Sequence, residues 1–176
     1  MIIRYQYEFV LTLSIRQPPS LFALIIGINK YKSALIKDLK GSIADAEAVK
    51  DYLQDALGVP PSRIKTLFNE HATRDGIIKN LGALKDADTR EGDPILIFYA
   101  GHGVAGDRAS VVDEKVELIA PYDMDYNADK SVVNAIPDRI VGMLLEDLAK
   151  AKGNNIVRLV CITRRRIHLC NADRHL

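Results

Sequence analysis

From Leu21 onward, apolar runs and helical periods alternate along the chain. Phe22 to Ile28 is an apolar run with a single glycine, the pattern of a strand buried on both faces. Ile43, Ala46, Val49, Leu53 and Leu57 then recur at offsets 0, 3, 6, 10 and 14, one stripe of a helix that Gly58 and Pro60-Pro61 stop. Ile64 to Phe68 reads as a short strand, and Ile77, Ile78, Leu81 and Leu84 as a second helical stripe. Asp93-Pro94 leads into Ile95 to Tyr99, another fully buried strand, and Val116 to Ala120 predicts a further short one. Pro137 suits a helix start, and Ile140, Val141, Leu144, Leu145 and Leu148 supply that helix's apolar face. Gly153 ends it before the apolar run Ile156 to Ile162.

Strand–helix repeats of this spacing predict one α/β domain, with a mainly parallel sheet covered by helices. Chemistry in such sheets gathers outside the carboxyl ends of the strands, which brings the segments after Ile28, Tyr99 and Ile162 together. The early run Phe9 to Ile15 is far shorter than the ~20 residues of a spanning helix. It lies between Glu8 and Arg16 and carries no small-residue cleavage site, so a soluble cytoplasmic protein without a membrane partner is expected.

Composition adds a contrast. The chain of 176 residues has 24 basic and 23 acidic residues, a net charge of +1, which speaks against a nucleic-acid partner bound through bulk charge. Residues 158–176 nevertheless hold five arginines and one aspartate, so the remainder is acidic. Cys161 and Cys170 are too few for a disulfide framework, and no Cys/His spacing resembles a zinc site.

Tyr99-Ala100-Gly101-His102-Gly103-Val104-Ala105-Gly106, expected as the loop after its strand, can be read in two ways. Gly101, Gly103 and Gly106 match the dinucleotide fingerprint G-x-G-x-x-G, but the sequel Asp107 to Asp113 has no helical period to hold a pyrophosphate. Alternatively, flanking glycines leave the His102 imidazole accessible as a base, and the Gly103 N–H can approach a substrate oxygen. A turn histidine chosen for backbone tolerance fits the same residues.

Three segments carry a resemblance: Phe22 to Tyr31, Leu39 to Ala46, and Gly92 to Gly103 with its strand-plus-Gly-His-Gly element. In order and spacing, from about Leu21 to Ile156, they resemble the fungal caspase-like, or metacaspase-type, domain. The resemblance implies a three-layer αβα fold around a mainly parallel sheet. It also implies a Cys–His dyad that cuts polypeptides after Arg or Lys, in the protease class associated with programmed cell death. No cofactor is required by the sequence, while the family often uses calcium. His102 matches the catalytic histidine and Gly103 the oxyanion glycine. Asp45 matches an acid of the pocket for a basic side chain, although Ser42-Ile43-Ala44-Asp45 is equally a helix capping box. Ser42 and Ala44 stand where the family usually has Cys and Asn. Asp113, Asp123 and Asp125 lie where calcium-dependent members place ligands, but scattered loop aspartates assign no metal.

The match stops near the last strand. After Asn154-Asn155-Ile156 the family reads Asp-Cys-Cys-His-Ser-Gly past an apolar strand, and its second Cys is the nucleophile. Counted without gaps, Cys161 falls on the Asp, Ile162 on the first Cys and Thr163 on the nucleophile. Cys161 shares that residue's strand face but stops about 7 Å short, at ~3.3 Å per residue. The expected organisation is an N-terminal arm over 1–20, a caspase-like domain over 21–157 lacking its C-terminal strands, and a basic tail over 158–176. A changed reading frame, a retained intron or a regulatory truncation would each produce such a junction. Two functions follow: a cysteine endopeptidase family member, inactive as this chain stands, or a non-catalytic caspase-like module that binds a polypeptide or a caspase-like relative.

Overall fold

The computed structural model describes residues 20–86, 88–106, 116–129 and 131–164. Its main sheet has six strands, beginning with β1 (Phe22–Gly27), β2 (Ile64–Phe68) and β3 (Ile95–Gly106). β4 (Val116–Ile119), β7 (Ile136–Pro137) and β8 (Ile156–Arg164) complete it, while β5 (Asp125–Tyr126) and β6 (Val132–Val133) form a small separate sheet. β1 lies between β2 and β3, and β3 pairs with β8 on its far side; all three pairings are parallel. β4 pairs antiparallel with the end of β3, over Gly103 to Gly106, and with β7.

Helices cover both faces, as the unbroken apolar runs of β1 and β3 require. On one face Leu24, Ile26, Ile97 and Tyr99 pack with Ile77 and Leu81 of α2 (Arg74–Ala83) and with Val141 and Leu148 of α3 (Asp138–Lys152). On the other, Ala23, Ile25, Leu96, Phe98 and Ala100 pack with Ala46 of α1 (Ser42–Asp51) and with Leu53 in the wider π-helical turn that continues it. Gly27 sets how closely α1 approaches, because a Cβ there would lie 2.9 Å from that of Ala46. Thr73 caps α2 by accepting the Gly76 N–H at 3.1 Å. None of the described helices is long and apolar enough to cross a membrane.

Three features differ from expectation. The segment Ala100 to Gly106 is not a loop but the continuation of β3, because β8 stays in register as far as Gly103 and β4 takes over from there. The three glycines therefore lie within a strand, which removes the strand-to-helix turn a dinucleotide fingerprint needs. Second, the N-cap residue of α1 is Gly41 and no side chain caps that end, so Ser42 and Asp45 form no capping box. The helix begins one residue earlier than the motif implies, and Ser42 turns inward and is buried. Third, β8 runs on to Arg164, crossing the expected boundary between domain and basic tail. Arg158 is tolerated inside this strand because its guanidinium meets the Asp138 carboxylate at 2.6 Å, at the start of α3, and its side chain stays 30% exposed.

Candidate active site

His102 sits near the carboxyl end of β3 and is only 3% exposed. Its backbone N–H donates to the Tyr31 phenol oxygen at 2.8 Å. Its carbonyl accepts the Ala120 N–H at 3.1 Å and the Tyr99 hydroxyl at 2.9 Å. Tyr99 also has the Ala120 carbonyl at 3.0 Å, so one phenolic proton serves two acceptors. The Tyr31 ring lies 5.1 Å from the imidazole, centroid to centroid, tilted by 38°.

The ring is oriented by the segment between β1 and α1. Nε2 lies 2.7 Å from the Lys37 carbonyl oxygen. A carbonyl only accepts, so Nε2 carries the proton. In the neutral imidazole Nδ1 then holds the lone pair. Nδ1 is buried and has no hydrogen-bond partner among the described residues. An unpaired buried nitrogen costs about 1–3 kcal/mol, and it is the nitrogen able to take a proton from an incoming nucleophile.

Burial pushes the Tyr31 phenol up to about 12, despite opposing hydrogen bonds from the His102 backbone and from Tyr99. Burial also raises Tyr99 well above the ordinary phenol value, and the neighbouring Tyr31 adds to this. Both phenols are therefore neutral at physiological pH. Gly101 makes room for them, since a Cβ there would lie 2.5 Å from the Tyr99 hydroxyl and 3.2 Å from that of Tyr31.

The sheet register decides where the remaining expected residues stand. Thr163 is the register partner of His102 across the β3–β8 pair, and Cys161 that of Ala100, two residues earlier. Cys161 is exposed and in no disulfide, whereas Cys170 lies outside the described residues. Gly103 pairs with Arg164 and Ile119, and its bare Cα has a packing cause: a Cβ would come 2.5 Å from Ile162 Cγ2. Asp45 is exposed in the first turn of α1.

Of the aspartates considered for calcium, Asp113 falls outside the described residues. Asp123 accepts the Arg74 N–H at 2.7 Å and so closes the start of α2. Asp125 accepts the Ser33 hydroxyl at 2.6 Å and the Tyr126 N–H at 2.8 Å, bonds that hold its carboxyl below the ordinary value. The two described carboxylates thus have structural hydrogen bonds, and no cluster of three or more metal-ligating side chains occurs among the described residues. Sequence reasoning missed Tyr31, Tyr99 and the Lys37 carbonyl. Only the two tyrosines carried a signal, as phenols inside or beside apolar runs whose hydroxyls need partners.

A parallel sheet between helical layers, with a histidine held at its carboxyl edge, defines a caspase-like α/β domain. A crystal structure of a Geobacter sulfurreducens protein shares the fold with a TM-score of 0.59 and 22% identity, over 81% of this chain and 49% of that one. A sequence profile of the caspase domain matches residues 20–150, and the chain belongs to that peptidase family. A protein described as a probable protease, from a Desulfuromonadales bacterium, is 32% identical over 98 residues, which is 47% of this chain and 12% of the relative. The chain therefore spans about half the length of the solved structure and a small part of the bacterial relative.

Proposed function

We propose that this domain carries the base half of a metacaspase-type cysteine endopeptidase site, and that the chain as it stands does not turn over substrate. In this reading His102 Nδ1 takes the proton of a nucleophilic thiol and the Gly103 N–H faces the oxyanion. Asp45 pairs with the Arg or Lys side chain before the scissile bond, and polypeptides are the substrates. The observation that supports the reading is the register partnership of His102 with Thr163, the residue that the family resemblance aligns with the nucleophile. Threonine lacks the acidity of a thiol, and Cys161 lies two register positions away.

The test is incubation of the purified chain with Arg- and Lys-terminated fluorogenic peptides, with and without calcium. No turnover above a His102→Ala control is expected. Thr163→Cys is expected to introduce turnover that disappears when His102→Ala is added. Turnover by the unsubstituted chain that needs His102 and Cys161 would overturn the inactive reading. A folded, silent Thr163→Cys would count against His102 as the base. A second reading, a non-catalytic module that binds a polypeptide, is favoured by the exposed apolar side chains of Val157 and Leu159 on β8.

A further inference from the structure

We propose that Tyr31 is a positioning residue for His102, acting through the histidine's peptide and ring to fix which imidazole nitrogen carries the proton. This rests on His102 being the base of the site.

A histidine side chain has two soft torsions, so its aim depends on what holds its backbone and its ring. Two phenols grip this one from opposite ends. The Tyr31 oxygen accepts the His102 N–H at 2.8 Å, and the Tyr99 hydroxyl donates to the His102 carbonyl at 2.9 Å. Tyr99 belongs to the same strand as His102, and its placement follows from β3 alone. Tyr31 comes from the segment after β1, the segment that also supplies the Lys37 carbonyl to Nε2. Its ring against the imidazole, 5.1 Å between centroids, limits how far the histidine can swing away from that carbonyl. Gly101 is the cradle of the arrangement, because a side chain there would collide with the Tyr99 hydroxyl and crowd that of Tyr31.

Without the Tyr31 oxygen, the His102 N–H is buried and unpaired, and the strand end must shift to find another acceptor. A shift there moves the imidazole relative to the Lys37 carbonyl, and the preference for a proton on Nε2 weakens. The contribution of Tyr31 is therefore orientation and not contact with substrate.

The experiment is nitrogen-15 NMR of histidine-labelled protein, comparing the unsubstituted chain with Tyr31→Phe and with Leu81→Ala. The last is a destabilised control in the α2 core, where Leu81 is buried. The unsubstituted chain is expected to show one His102 tautomer, protonated at Nε2, and a slowly exchanging His102 amide. Tyr31→Phe is expected to lose the single-tautomer signature and to exchange that amide about ten-fold faster, for a loss of about 1.4 kcal/mol. Leu81→Ala is expected to keep the tautomer. An unchanged tautomer in Tyr31→Phe, or the same loss in Leu81→Ala, overturns the positioning role. A proton on Nδ1 in the unsubstituted chain overturns the base assignment itself. If Tyr31→Phe does not fold, the unsubstituted chain decides: a nuclear Overhauser contact between the Tyr31 and His102 rings and a protected His102 amide support the role, and absence of either ends it.

Discussion

β3 and β8 lie side by side in register over nine residue pairs, yet their environments differ. β3 has helices over both faces, and its Ile97 and Phe98 are buried on opposite sides. Among the described residues, β8 is covered on one face only. Ile156, Val160 and Ile162 turn toward the α2 and α3 side, whereas Val157 and Leu159, on the α1 side, are 51% and 48% exposed. Among the described residues β8 pairs with β3 alone. The same difference runs through the site. His102 on β3 is held at its N–H, its carbonyl and its ring, whereas Thr163 on β8 is its register partner. Similar apolar runs thus produce a strand covered on both faces and, among the described residues, a strand covered on one.

The comparison breaks first if the burial difference carries no energy. Ile97→Ala is expected to cost about 2–5 kcal/mol in a denaturant titration, since it leaves a cavity under two helices. Next comes the grip on the end of β3. Tyr99→Phe removes a buried donor from the His102 and Ala120 carbonyls, leaving the former only the Ala120 N–H, and is expected to cost about 1–3 kcal/mol, measured in the same way. On β8, Arg158→Ala removes a partly exposed ion pair, so a loss below about 1 kcal/mol is expected, shrinking further in high salt. Leu159→Ala, on the bare face, is expected to fall within about 0.5 kcal/mol of no change. A loss at Leu159 as large as at Ile97 would show that something covers that face in solution.

Acid gives one more contrast, the smallest of these. Asp125 is held below its ordinary value of 3.8 by the Ser33 hydroxyl, and Ser33 belongs to the segment that reaches His102. A depressed carboxyl pKa contributes stability that is present above pH 3.8 and lost as the pH falls through the folded value. Ser33→Ala should therefore lower stability near neutrality and flatten its fall in acid, in thermal melts across that range. An acid profile identical to that of the unsubstituted chain would remove Asp125 from the segment's anchorage.

The strands and helices that carry the fold are legible in the sequence because burial on both faces writes unbroken apolar runs. Phe22 to Gly27, Ile95 to Tyr99 and the stripe ending at Leu148 fall in the expected elements, with Ile28 just beyond β1. His102 stands out in the sequence from its two glycines, but the accessibility they suggest is not found, because the imidazole is buried. The continuation of β3 through Gly106 was not legible, because glycine weakens strand propensity and only pairing with β4 and β8 holds it extended. The capping box at Ser42 and Asp45 does not form although the motif fits: Gly41 is the N-cap, and the first turn of α1, including Ser42, lies close against Gly27. The phenol grip and the Lys37 carbonyl join residues up to 71 apart in the chain, and no local pattern records such a meeting.

Asn69 lies at the far end of this chain of contacts. It takes a left-handed backbone turn at the end of β2, with φ of 43°, and its Oδ1 accepts the N–H groups of Asn29 and Lys30, each at 3.0 Å. Those two residues immediately precede Tyr31, so the aim of the imidazole is surveyed from a benchmark on a neighbouring strand. Two adjacent amides fastened to one side chain leave the segment little play, and any slack at Asn69 would pass to the histidine through two further links. The placement of the imidazole is thus a tolerance stack, with its datum at Asn69.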